Sequence, residues 1–234
     1  MTLIDSVSSA IDYCKVNHID IPADLALKAY NVGALKAAGD LVAIGAAYRD
    51  VITESLIRYF EGGNVTSPRN AFKRGMVEAF GAAFDTGWRD GGGTGMPDVD
   101  ALAWFNPRVE AEFGFIDMLF AQIKDLRKDG EFDYFSFVTQ KADGYVRTLR
   151  DIYNMGKMFA SKNKMLTFDG EDGKPDNICQ STGGTCVRLK GQRHRASWWI
   201  SHGLVPYRGN PNYDCGAWEC RHYLRDDDGN RYTE

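Results

Sequence analysis

No apolar run in this chain approaches the roughly 18–20 residues that cross a bilayer as a helix, so no membrane contact of that kind is expected. The first fifteen residues hold Asp5 and Asp12 and no basic start before an apolar stretch, which is not the pattern of a secretory signal. Catalytic signatures are missing as well: there is no HExxH and no GxSxG. The cluster Gly91-Gly92-Gly93-Thr94-Gly95 is followed by no Lys-Ser/Thr pair and preceded by no strand, which excludes a phosphate cradle and leaves a flexible loop. Charge of one sign is scarce. A net charge of −4 predicts neither wholesale nucleic-acid binding nor an acidic solvating chain. A protein made in a reducing cytoplasm, with thiols free or on a metal, fits these absences.

What is present is apolar volume and helical period. Thirteen Phe, eleven Tyr and five Trp supply a core without need of disulfide staples. Up to residue 164 the chain is expected to be helix after helix. Leu3, Ile4, Val7, Ala10, Ile11 and Cys14 share one helical face, with Cys14 a small buried hydrophobe. Pro22 opens a second stretch, and a longer one runs from about Leu35 to Phe60 and stops at Gly62-Gly63. Ser67 as N-cap with Pro68 in the first helical position predicts the next start. Phe72, Met76, Phe80, Phe84 and Trp88 then recur every four residues, a stripe expected to pack on another helix of the same domain, with a subunit contact as the rival. Asn106-Pro107 repeats the cap-plus-proline signal before an apolar face of Val109, Phe113, Ile116, Phe120, Ile123 and Leu126, ending near Gly130. Asp133 caps a last long helix carrying Tyr145, Leu149, Ile152, Tyr153 and Phe159.

Past residue 164 the grammar changes. Met165–Phe168 is expected to be a short strand, followed by a stretch with little helical period and four of the five cysteines. The fold class is therefore α+β: a mostly helical region, 1–164, and a small Cys/His-rich irregular α+β module, 165–234. Cys179 and Cys186 stand as C-x6-C, Cys215 and Cys220 as C-x4-C, with 28 residues between the pairs. Four thiolates can hold a structural zinc that staples a thin core, with His222 the alternative ligand. The usual knuckle is C-x2-C, so reduced thiols and disulfides stay open beside zinc. Between the pairs lie Arg188, Lys190, Arg193, His194 and Arg195, then Trp198-Trp199. Residues 187–225 hold seven Lys/Arg against Asp214 and Glu219, a formal +5. Such a segment suits contact with DNA phosphates and stacked bases, or with an acidic partner surface. The plainer reading is a solvated basic loop with two Trp rings in the core, and Asp226-Asp227-Asp228 just beyond would repel phosphate. No catalytic site is expected. A Cys186–His194 pair is conceivable but unspecific where four Cys and three His share some fifty residues.

One run resembles a known family. Arg147, Arg150 and Tyr153-Asn154-Met155-Gly156 precede the strand Met165–Phe168, then come Asp176, Cys179, Cys186, Leu189-Lys190-Gly191, Pro206, Pro211, Cys215 and Cys220-Arg221-His222. In order and spacing, residues 145–224 resemble the module of Mu F-like phage head-morphogenesis proteins. The C-x6-C spacing and the final Cys-Arg-His depart from the family's usual pattern. The resemblance implies a non-enzymatic minor head protein of a tailed bacteriophage. It would act at the portal or the capsid interior, with portal and capsid proteins and packaged DNA as partners, after assembly in the host cytoplasm. The alternatives are a head–tail connector subunit and a metal-dependent nuclease. Toxin domains follow the module in some members, and none is expected in the ten residues past Leu224.

Overall fold

A capping carboxylate starts the first helix of the computed structural model, which describes residues 40–62, 64–127, 132–170, 184–207, 209–213 and 222–233. Asp40 is extended, and its Oδ1 accepts from the N–H groups of Val42 (2.9 Å) and Ala43 (3.1 Å), two donors the helix cannot satisfy internally. The helices expected from Leu3 to Cys14 and from Pro22 lie outside the described residues, as does Leu35. Four long helices follow: α1 Leu41–Phe60, α2 Thr66–Asp90, α3 Val99–Leu126 and α4 Tyr134–Ala160. After them come β1 Met165–Gly170, α5 Thr185–Leu189, β2 Arg193–Arg195, α6 Ala196–Ser201 and β3 His222–Arg225. The described residues are mostly helical with a small antiparallel sheet, an α+β fold.

Two helix starts differ from expectation. α2 begins one residue before Ser67, with Val65 in the cap position and no side-chain cap, and Asn64 Oδ1 just ahead of it accepts from Thr66 N–H at 2.9 Å. Pro68 is thus in the first turn but not at its first position. Pro107 opens no helix: it lies inside α3, which starts at Asp98, whose Oδ1 accepts from Ala101 N–H at 3.0 Å. The carbonyl that Pro107 leaves without a donor belongs to Ala103, and both residues are exposed, so water can serve it. Burial of Ala101 and Phe105 ahead of the proline keeps that first stretch helical. Asp133 does cap α4, accepting from Ser136 N–H at 3.1 Å.

The packing is governed by small residues. Gly75, Ala79, Ala83, Gly87 and Gly91 recur every four residues along α2. A methyl group on Gly75 would collide with Val51 of α1, one on Gly87 with the Tyr153 carbonyl of α4, and one on Gly156 of α4 with the Phe84 carbonyl. Phe72 meets Tyr145 near one end of the contact, and Gly91 meets Ala160 at the other, so α2 and α4 run parallel with their backbones touching near Gly87 and Gly156. α1 is antiparallel to both: Val51 faces Gly75, and Arg49 pairs with Asp143 at 2.9 Å. α3 packs antiparallel on α2, through Phe72–Phe120 and Phe84–Phe105 ring contacts. The stripe Phe72, Met76, Phe80, Phe84 and Trp88 is buried inside the chain, as the intradomain reading expected.

The sheet is antiparallel in the order β2-β1-β3. Leu166, Phe168 and Leu224 are its buried alternates, and Trp199 of α6 covers them, donating from Nε1 to Leu166 O at 3.2 Å. This core is continuous with that of the helices, α6 packing against α4. Lys162 ties the end of α4 to the start of α3 through Asp98 (2.7 Å) and Asp100 (2.9 Å). Tyr232 returns to the same end: its Oη lies 2.7 Å from Ser161 Oγ, and its ring sits under Lys157 and Lys164.

Among the described residues, one charged side chain is buried in the helical body. Glu112 is 5% exposed and pairs with Arg108 at 2.8 Å. Desolvation raises its carboxyl above the usual range, against the lowering pull of Arg108. A folded state that holds this proton more tightly than the unfolded chain loses stability as pH rises through the raised value. Urea midpoints measured from the ordinary carboxylate range to neutrality should show that loss in the parent and a smaller one in Glu112→Gln. A second expectation concerns the helix contact. Gly87→Ala or Gly156→Ala should each cost about 3 kcal/mol, because the new methyl meets backbone that cannot rotate away. Gly144→Ala, with nothing within 4 Å of its Cβ, should be neutral or gain up to about 1 kcal/mol in the same titration.

Candidate functional site

Of the cysteines and histidine expected to hold a metal, Cys186 and His222 fall within the described residues. Cys186 lies on α5, only 2% exposed, beside Leu189 in the core. His222 opens β3, its ring stacked on Phe168 (centroids 5.3 Å apart) and over Gly170, where any side chain would strike it. Cys179, Cys215 and Cys220 lie outside the described residues. Among the described residues, no group of three or more His, Cys, Asp or Glu is placed to hold a metal.

The five predicted contact residues run along one side of the sheet. Arg188 and Lys190 are exposed at the end of α5 and just after it. Gly191, at φ +77°, turns the chain and donates its N–H to Phe168 O at 2.9 Å, which delivers Arg193, His194 and Arg195 onto β1 opposite Thr167, Leu166 and Met165. Alternation places Arg193 and Arg195 on the exposed face and turns His194 toward the tryptophans. An open depression of about 610 Å³ lies here, lined by Met165, Arg193, His194, Arg195, Trp198 and Ser201 among others.

Two details change what this surface can do. First, the acidic run folds back onto the basic strand. Asp226 Oδ1 accepts from Asp228 N–H (3.2 Å) and Asn230 N–H (2.9 Å), Gly229 takes φ +83°, and the resulting turn aims Asp227 at Arg193. The pair is bidentate, with Arg193 Nη2 2.8 Å from both carboxylate oxygens and Nε 3.1 Å from Oδ1. Lys164 approaches Asp226 at 3.7 Å. The formal +5 counted along the sequence is therefore partly cancelled in space, by Asp227 at Arg193 and by Asp169 at Arg225 (3.0 Å).

Second, neither indole offers a face to a base. Trp199 is fully buried. Trp198 is sandwiched between His194 (3.7 Å, 17° between planes) and His202 (4.1 Å, 24°). The expectation of two Trp rings in the core is met by Trp199 alone. Trp198 is the middle of a three-ring stack at the surface, assembled because His194, Trp198 and His202 follow at four-residue steps across the β2–α6 junction. His202 Nδ1 lies 2.9 Å from Trp198 O and 3.2 Å from Ser201 Oγ. Ser201 Oγ donates to the same carbonyl at 3.1 Å, so its proton is directed to the backbone and not to the imidazole.

No protein-family model, no curated protein and no solved structure matches this chain. The physical content of the site stands by itself: a shallow, moderately basic surface of arginine and imidazole groups, braced by its own carboxylates. Asp227→Ala should free the Arg193 guanidinium. The variant should then elute from a heparin column at higher salt than the parent, and at higher salt than Glu61→Gln, which removes an exposed charge elsewhere.

Proposed function

We propose that this chain is a minor head protein of a tailed bacteriophage, an assembly component without turnover that acts at the portal or the capsid interior. One observation carries the reading. Several of the residues that carry the resemblance to the Mu F-like module sit in the frame of the fold. Gly156 sits in the α2–α4 contact, Met165–Phe168 is the central strand, Leu189 is buried, and Gly191 sets the turn into β2. Charged groups around that frame are spent on bracing: Arg193 on Asp227, Arg225 on Asp169 (3.0 Å), Lys162 on Asp98 and Asp100. A long helical body with such a module at one end suits docking between larger proteins.

The partner that fits the basic face best is an acidic protein surface of the portal or capsid, with packaged DNA the second choice. Partial cancellation by Asp227 and the closed faces of Trp198 weigh against base stacking. A structural zinc on Cys179, Cys186, Cys215 and Cys220, or with His222, belongs to the same reading as a staple. Cys186, on α5, and His222, on β3, are the two of these residues that the structure describes.

Mass spectrometry of purified particles from the phage genome that encodes the chain should find it in full heads, at fewer copies than the capsid protein. The isolated chain should leave duplex and single-stranded DNA uncut with Mg²⁺, Mn²⁺ or Zn²⁺. Absence from particles overturns the assignment, and so does metal-dependent cleavage lost in His194→Ala. A native mass corresponding to a ring of about a dozen copies would make the chain a connector subunit instead. Elemental analysis decides the staple: one zinc per chain, lost in Cys186→Ser, supports it, and a metal-free folded chain removes it.

A further inference from the structure

α3 is the least covered of the long helices. It packs on α2 through residues such as Phe105, Val109 and Phe120, and its opposite side faces solvent. At 100° per residue, Pro107, Ala111, Gly114, Met118 and Ala121 fall within one arc of that open side, and all five are exposed. Met118 is 59% exposed, and Phe115 at the edge of the arc is 46% exposed. A Cβ on Gly114 would meet nothing within 4 Å. Among the described residues that glycine therefore makes room for no neighbour, although it costs the helix about 1 kcal/mol against alanine. A small residue between apolar neighbours is what lets a second helix approach closely.

Charge selects the occupant. Asp100 is tied to Lys162 at 2.9 Å, and Asp117 to Lys73 at 2.7 Å, with Arg69 at 3.7 Å. Asp125 also has a partner. Among the described residues, no ion pair holds Glu110 or Lys124. These two are opposite in sign, lie on the same flank of the open arc, and stand equally far from Asp117 in sequence. In an antiparallel helix pair, each flank meets its own kind. A two-fold axis at Asp117 would therefore bring Glu110 of each copy to Lys124 of the other. The same register sets Gly114 across from Met118 and Ala121, so apolar meets apolar. The two Asp117 carboxylates would face each other at the axis, each already neutralised by its own Lys73.

We propose that the open side of α3 is a self-association surface on which a second copy of this chain docks antiparallel, in an isologous two-fold dimer. Sedimentation velocity and native mass spectrometry on the full chain should show a monomer–dimer equilibrium. Glu110→Lys or Lys124→Glu alone should each weaken it about tenfold or more, since two attractive pairs become repulsive. The double variant should recover parental affinity, and an equimolar mixture of the two single variants should associate better than either alone. Gly114→Arg should abolish the dimer while thermal melts stay close to the parent, because the site is exposed. A monomer throughout the micromolar range overturns the proposal, as does a dimer indifferent to Gly114→Arg. Failure of the double variant and of the mixture to recover overturns the antiparallel register.

Discussion

Backbone contact between α2 and α4 is the constraint from which the helical body follows. In an up-and-down arrangement of four helices these two would be diagonal partners, kept apart by side chains. Glycine at 87 and 156 removes the separation, and the carbonyls of Tyr153 and Phe84 occupy the space a methyl would need. Once the diagonal closes, α1 can sit in the groove against both helices, but α3 has no comparable seat. It is left on the flank of α2, held by its aromatic residues and by the Lys73–Asp117 and Lys162–Asp98 ties. Exposure of Phe115 and Met118 is thus a consequence of packing elsewhere in the body.

The small module is organised by a different economy. Its sheet has few strands and a thin apolar layer, Leu166, Phe168, Leu224 and Trp199, and the layer leans on the end of α4. Around this core, polar groups are joined across long stretches of sequence. Arg193 meets Asp227, Tyr232 meets Ser161, and Leu224 N–H donates to Thr233 Oγ1 at 2.7 Å. The ion pairs are largely solvated and add little stability each. Their effect is orientation: they hold Arg193 and the Asp226–Asp228 turn in one relation, which decides how much positive charge the surface shows.

Much of the fold was legible in the residues. The α+β class, the intrachain packing of the Phe72-to-Trp88 stripe, the Asp133 cap and the strand from Met165 all come from periodicity or capping chemistry, which are local. The errors share a cause. Pro107 looked like a helix start because a proline prefers that place. The burial of Ala101 and Phe105 that overrides it is tertiary and leaves no local mark. The stripe of Gly75, Ala79, Ala83, Gly87 and Gly91 was visible as composition, but its meaning needs a partner helix to reveal it. At the basic surface, the sequence shows the basic run and the opposing Asp226-Asp227-Asp228, but the pairing of Asp227 with Arg193 comes from a turn whose register no spacing announces. The three-ring stack was within reach: His194, Trp198 and His202 stand at equal four-residue steps.

The glycine contact also governs the order of assembly. Residues 84–88 meet residues 153–157 across about 70 intervening positions, so the apolar groove between α1 and α2 stays open until α4 has been made. A hairpin of the first two helices, emerging from the ribosome ahead of its partner, presents Phe84 to water, since its ring neighbours Trp104, Phe105 and Phe159 are all still to come. Its safety in the cell then depends on the speed of translation and on chaperones that cover such surfaces for that interval.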